Sequence, residues 1–279
     1  MLSNYIATKD VVAFSKAVNM LRTFFLNKGY TEVHTQDRLS ILAACEDPTT
    51  ISSYDYYGQV WPLPQTGQMW LEYELLTKPE LNGVFCVSTS YRLEKNPIPG
   101  RHDLIFPMFE FESKGGFEAL RDLETELLEY LGFGKKEDFT YKTYDELAEY
   151  YNTEEITSVH ELRMKEDFGN AVFLQKFPQR TSPFWNMAKI GEHAEKIDVI
   201  LDGAETIGSA ARSTNPEEMR ELFHTISNGG YAQLLYDQFG KDRVEKELED
   251  FLTLDFFPRF GGGIGMTRMI KALKSIGVV

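Results

Sequence analysis

The stretch VFCVSTSYRLEKNPIPGRHDLIFPMFEFE, residues 84–112, decides how the rest of the chain is read. It consists of two extended segments joined by a turn-rich, basic loop. Side chains on a strand alternate between faces, so Ser88, Ser90, Arg92 and Glu94 share one face of the first segment. In the second segment Phe106, Met108, Glu110 and Glu112 share a face, while Ile105, Phe109 and Phe111 share the other. If the segments pair as a hairpin with their charged faces together, Arg92, Glu94, Glu110 and Glu112 form one floor beside Phe106. An ordinary antiparallel pair with a solvated polar side gives the same alternation. The loop favours a ligand site: Lys95, Arg101 and His102 stand among Pro97, Pro99 and Gly100, a basic rim over an arginine and acid floor, as a polyphosphate requires. Pro107 argues for an edge or irregular strand.

A second informative stretch is IDVILDGAETIGSAAR, residues 197–212, where Asp202-Gly203 between two extended runs signals a two-residue hairpin. That turn opposes Leu201 to Ala204 and Ile200 to Glu205, which brings Glu205 to the side of Asp198, one diagonal step away. Carboxylates so placed share a proton, raise one pKa, hold a divalent cation, or simply stand exposed on their strands. Beside a phosphate site the favoured reading is Mg²⁺, which is held by one or two carboxylates together with phosphate oxygens and waters. Arg212 has the wrong parity for that face unless Gly208 or Ser209 carries a bulge.

The remaining segments read as scaffold around these two. Apolar residues at helical spacing mark helices over about 10–27 and 117–131, and Asn215-Pro216-Glu217-Glu218 is a well-formed helix start. The polar run up to about Gln59 reads as loop, and a helix begins near Thr66 with Gly67 and Gln68 in its first turn, a helix start suited to a carboxylate. Residues 132–170 are charged and tyrosine-rich and carry no evident chemistry. The glycine cluster Gly261–Gly265 leads into a helix from Met266 with Arg268 at its start; its position at the chain end, with no following βαβ unit, excludes a dinucleotide fold.

Composition bounds the function. The 279 residues, 42% apolar, suffice for a substantial core, here read as one domain over 1–279. A formal charge of −14 disfavours gripping nucleic acid by bulk electrostatics. Cys45 and Cys86 form no disulfide or metal pattern, and no run is apolar enough for a membrane span, so the expectation is a cytoplasmic protein in a reducing compartment.

Taken together, the motifs resemble the catalytic domain of class II aminoacyl-tRNA synthetases of the aspartyl, asparaginyl and lysyl subgroup. Tyr91-Arg92-Leu93-Glu94, Arg101-His102 and Phe106 with Glu110 are similar to that family's second signature motif, and Gly261 to Arg268 to its third. Asp198, Glu205 and Arg212, at successive intervals of seven, resemble its metal acids and substrate-side-chain arginine. Thr66-Gly67-Gln68 followed by Glu72, and Pro183-Phe184-Trp185-Asn186-Met187, look most like the asparaginyl branch.

The resemblance implies an α+β fold, an antiparallel sheet flanked by helices, and a ligase that joins ATP to Asp or Asn as an aminoacyl adenylate with Mg²⁺. It implies that Arg92 holds the α-phosphate and amino-acid carboxylate, that Glu94 reads adenine and Phe106 stacks on it, and that Arg101, His102 and Arg268 hold the outer phosphates. Asp198 and Glu205 would hold Mg²⁺; Gln68, Glu72, Glu110 and Arg212 would line the amino-acid pocket. The family is dimeric, which implies a homodimer, although Gln36 stands where its first motif has proline. Thr267 stands where the third motif usually has an acid, and no anticodon-binding barrel is recognised. With no such barrel recognised and an acidic surface, the expected acceptor is ammonia or another amine, as in asparagine synthetase paralogues; the alternatives are a minimal tRNA ligase and a non-catalytic regulator.

Overall fold

A computed structural model describes residues 10–35, 39–41, 48–95, 97, 103–181 and 183–279. Arg101, His102 and Gln36, as well as Cys45, lie outside the described residues.

The two segments of the opening stretch form β4 (Gly83–Tyr91) and β5 (Ile105–Lys114), paired antiparallel with Cys86 opposite Glu110 and Ser90 opposite Phe106. The pairing puts the charged faces together, as parity requires. It continues past the strand end, where the Arg92 amide donates to the Leu104 carbonyl at 2.8 Å. Pro107 does not mark an edge: β5 is central and takes β11 (Arg259–Gly265) on its other side. The proline is tolerated because that pairing ends at Met108, so Pro107 lies opposite Thr89 alone.

Beyond β11 the sheet continues with β10 (Ala204–Ala211), β9 (His193–Leu201) and β7 (Ala171–Pro178), all antiparallel. Asp202 and Gly203 have φ of 52° and 77°, the two positive values that a tight hairpin turn of matching twist needs. The register is the one the turn dictates, with Leu201 opposite Ala204 and Ile200 opposite Glu205. Short parallel strands β1 (Thr31–Glu32) and β6 (Thr140–Thr143) pair with β4 and β7, and β8 (Lys189–Ile190) pairs with β9. A separate hairpin pairs β2 (Ser53–Tyr56), inside the run read as loop, with β3 (Gln59–Pro62), which begins where that run ends.

One face of the sheet is sealed by α1 (Val11–Asn27), α3 (Phe117–Leu131) and α9 (Met266–Ser275). Phe25 of α1 sits 5.1 Å from the rings of both Phe109 and Phe111, the apolar side of β5. The other face carries α2 (Gln68–Thr77), α4 (Tyr144–Tyr151) and α5 (Ser158–Phe168), with α6 (Pro216–Thr225), α7 (Gly230–Phe239) and α8 (Lys241–Leu252) packed around the buried Trp185. Those helices cover the two ends of the sheet and leave its polar middle open to a cavity of about 1390 Å³.

Among the described residues, one buried acid lies on the sealed side. Glu124 of α3 is fully buried near Ser209; burial pushes its carboxyl up to about 8, opposed by Ser209 and reinforced by the Asp198 charge. The folded protein therefore keeps a proton that the unfolded chain gives up near 4.5. The associated stability is complete below that value and is lost as pH rises through the folded-state value. Glu124→Gln should gain stability relative to the parent by about 1 kcal/mol or more between mildly acidic and mildly alkaline pH. Urea titrations across that range check this, and parallel pH profiles for the two proteins contradict it.

Candidate active site

Residues directly opposite each other across an antiparallel ladder share a face. One such row runs Leu174, Asp198, Gly208, Gly263, Glu110 and Cys86 across five ladders. The next contains Lys196, Ala210, Gly261, Glu112 and Val84. The glycines of β11 thus form a flat strip between two walls that carry functional groups. A Cβ at Gly261 would land on the Glu112 carboxylate, and one at Gly262 would come within 2.6 Å of the Ser209 Cβ, so neither position has room for a side chain.

Arg212 joins this face through a bulge, which falls at Thr206, between the Glu205 and Ile207 pairings, and not at Gly208 or Ser209. The extra residue resets parity for the remainder of β10. Glu205, upstream of the bulge, and Arg212, just past the strand end, both line the cavity.

On the β4–β5 side, Arg92, Glu94 and Phe106 line the cavity, with the Arg92 guanidinium 5.6 Å from the centre of the Phe106 ring. The start of α2 does hold a carboxylate, and it is the chain's own Glu110. That side chain accepts from the Gly67 amide at 2.9 Å and from the hydroxyls of Thr66 and Ser88. The helix begins at Gln68 with Gly67 as its cap, slightly later than the sequence suggests, because Thr66 turns its hydroxyl to Glu110 and the Gln68 amide. Gln68 donates to Glu112 and to the Phe111 carbonyl.

Over Gly261, on the cavity side of the sheet, lies a buried knot of charge. Arg212 donates from Nε and Nη2 to the two oxygens of Glu112 at 3.3 and 3.2 Å, with its Nε also 3.7 Å from Glu72. Arg259 donates to Glu72 Oε2 at 3.2 and 2.6 Å and to the Ser213 carbonyl at 3.1 Å. The Asn186 amide donates to Glu72 Oε1 at 2.8 Å. Burial pushes the Glu112 carboxyl up to about 7, against the pull of Arg212. Glu72 therefore stands behind the pocket, fully buried, and shapes it through Arg212.

The opposite wall is acidic. Glu205 and Glu161 line it, and the Glu205 amide donates to Glu161 Oε2 at 2.9 Å. Arg268, in the first turn of α9, donates to the Glu205 carbonyl at 2.6 Å, and its Nη1 lies 3.9 Å from the Glu205 carboxylate. Asp198 is buried; its carboxyl is pushed up to about 7 by burial, opposed by Lys196 and reinforced by Glu205. Its Oδ2 accepts from Lys196 at 2.6 Å, and its buried Oδ1 has no hydrogen-bond partner among the described residues. Hard carboxylate oxygens, one of them buried and unsatisfied, suit Mg²⁺. Asp198 and Glu205 are the residues that would hold it, although the described residues contain no cluster of three or more ligating side chains.

Several of these groups escaped the sequence. Lys196 lies two residues before Asp198 on the same strand face, a parity that was there to be read. Glu161, together with Glu154 and Glu155, comes from the tyrosine-rich stretch in which no chemistry was evident. Arg259 announces itself by no motif; only the fold brings it to Glu72.

Comparison with known proteins gives a family and a fold. The family profile "tRNA synthetases class II (D, K and N)" matches residues 2–276. The chain belongs to that family. Class II synthetases of this group use ATP and Mg²⁺. The asparagine–tRNA ligase of Pelotomaculum thermopropionicum is 26% identical over 267 residues, covering 84% of this chain and 58% of the relative. That of Desulforamulus reducens is 26% identical and covers 89% and 62%. The chain thus spans about six tenths of the length of these curated relatives. Among solved structures, asparaginyl-tRNA synthetase from Pyrococcus horikoshii complexed with asparaginyl-adenylate superposes with a TM-score of 0.77 over 99% of this class II chain and 66% of its own, at 17% identity. A putative aspartyl-tRNA synthetase from Leishmania major gives 0.75 over 95% and 62%, at 16% identity. The fold is the class II catalytic fold.

The buried knot sets a stability expectation for this class II domain. Arg259→Leu leaves Glu72 with one fewer cation in a site sealed from water, and loss of one partner of a buried pair costs about 3–5 kcal/mol. Urea denaturation should register a loss of that size; a change below about 1 kcal/mol contradicts the arrangement.

Proposed function

We propose that the cavity activates asparagine, joining it to ATP as an aminoacyl adenylate with release of pyrophosphate. The observation that carries the choice of side chain is the pairing of Arg212. It reaches the cavity with its charge already matched by Glu112, in a knot of two arginines and two glutamates. A substrate carboxylate has to share a guanidinium already held by Glu112, in a site where burial disfavours negative charge strongly enough to push the Glu112 carboxyl itself up to about 7. A carboxamide accepts from the guanidinium through its oxygen and brings no charge to bury.

The chemistry is displacement at phosphorus. An oxygen of the substrate α-carboxylate forms a bond to the α-phosphorus, the bond to the pyrophosphate oxygen breaks, and no proton has to move. Catalysis is then positioning and charge compensation. Arg92, held over Phe106, is the cation at the reacting phosphorus, with Glu94 and Phe106 as the adenine contacts. Arg268 faces the leaving pyrophosphate, with Arg101 and His102 as further phosphate contacts. Gln68 and Glu110 are the groups beside the substrate amine. Mg²⁺, when bound to Asp198 and Glu205, supplies further charge compensation for the phosphates.

For the acceptor, the relatives support the 3′ end of a tRNA: the curated proteins matched are asparagine–tRNA ligases. That reading displaces the ammonia transfer expected from the sequence. One observation keeps an amine in view as a second reading. The cavity wall formed by Glu154, Glu155, Glu161 and Asp202 is acidic, which repels a polyanion and attracts a protonated amine.

Amino-acid-dependent ATP–pyrophosphate exchange tests these statements. Asparagine should support exchange and aspartate should be at least about tenfold poorer, the equivalent of about 1.4 kcal/mol. Equal rates sink the argument from Arg212. Arg92→Ala should lower the rate by roughly 10²-fold or more, as removal of an oxyanion-type donor does; near-normal exchange removes Arg92 from its role. Addition of tRNA or of ammonium to the pre-formed adenylate then distinguishes the acceptors.

A further inference from the structure

The Asp198 side of the cavity contains a cation of its own. Lys196 stands one step along the same face of β9, its Nζ 2.6 Å from Asp198 Oδ2 and 3.8 Å from the centre of the Phe177 ring. Its side chain is mostly buried, 16% exposed, against 10% for that of Asp198. Phe177 reaches this position because β7 carries an irregularity at Lys176, whose φ of 59° resets the strand between Gln175 and Phe177. A carboxylate on one side and an aromatic face on the other fix the ammonium in direction as well as in place. Lys196 and Phe177 line the cavity, and Asp198 is buried against the Lys196 ammonium.

We propose that Lys196 is a third member of the nucleotide and metal site, a positioning residue that takes one oxygen of Asp198 and presents a fixed positive charge to the phosphates. Asp198 then offers a divalent ion only Oδ1. The site binds free metal weakly, and the ion enters with the nucleotide, whose phosphate oxygens complete its shell. The Lys196 ammonium carries part of the charge compensation that a more tightly held cation would otherwise provide. The inference rests on the reading of the cavity as a nucleotide site.

The two consequences have opposite signs, which makes the test specific. Lys196→Met removes the cation competing for Asp198, so Mn²⁺ alone, followed by its paramagnetic resonance signal, should bind about tenfold or more tightly than to the parent. The same substitution removes a cation from the phosphates, so ATP in excess EDTA, followed by calorimetry, should bind about tenfold or more weakly. Lys196→Arg should stay near the parent in both measurements, and Lys196→Met with Asp198→Asn should lose the gained Mn²⁺ affinity. A lysine with a purely structural role predicts loss of both affinities, and that outcome overturns the proposal, as does an unchanged Mn²⁺ affinity. Failure of the parent to bind ATP with or without metal overturns the nucleotide reading itself.

Discussion

The interaction on which the site depends is the buried contact of Arg212 and Arg259 with Glu112 and Glu72. These four side chains come from the end of β10, from β11, from β5 and from α2, so one cluster of ion pairs fixes three strands and a helix relative to one another. Charges taken out of water lose several kcal/mol of hydration each, and only well-placed opposite charges return it. The cluster is consequently intolerant of displacement. Arg212 cannot move toward Glu112 without leaving Glu72, and Arg259 is tied in addition to the Ser213 carbonyl. A pocket floor built this way is rigid, and rigidity is what the proposed discrimination between a carboxylate and a carboxamide demands.

The same constraint explains the glycine strip. Carboxylates on β5 must pass beside β11 to reach the arginines, and the Glu112 side chain occupies the place where a side chain on residue 261 would stand. Glycine at 261 is therefore required by the charge cluster, and glycine at 262 by the contact of β11 with Ser209 and Phe111 beneath it. A flat strip of backbone between two polar walls follows, and the cavity is the space above it.

Much of this was legible in the sequence because strand parity is a strict rule. The charged faces of residues 84–112 and the approach of Glu205 to Asp198 both follow from counting by twos from a turn, and the structure reproduces both registers. Parity also required a bulge before Arg212, but its location at Thr206 was not readable, since a bulge depends on which residue the neighbouring strand leaves unpaired. Strand β2 was not readable because four residues, SYDY, are too few for their alternation to stand out from a polar loop. Arg259 and Glu161 were missed for a different reason. Their partners, Glu72 and the Glu205 amide, lie 187 and 44 residues away, and no local pattern encodes a contact at that separation.

The overall charge of −14 is a poor guide to the chemistry of the cavity. Electrostatic work is done locally, within about 10 Å at ordinary salt. Around the glycine strip, Arg92, Arg268 and Lys196 stand on different elements and each is held by a neighbouring carboxylate or ring: Lys196 by Asp198 and Phe177, Arg268 by Glu205, Arg92 by Phe106. Each cation is thereby positioned before any ligand arrives, so little side-chain entropy remains to be lost when phosphates bind. Asp198 and Glu205, unlike the acids of the far wall, are no obstacle to an anionic ligand; they are the means by which Lys196 and Arg268 are aimed at it.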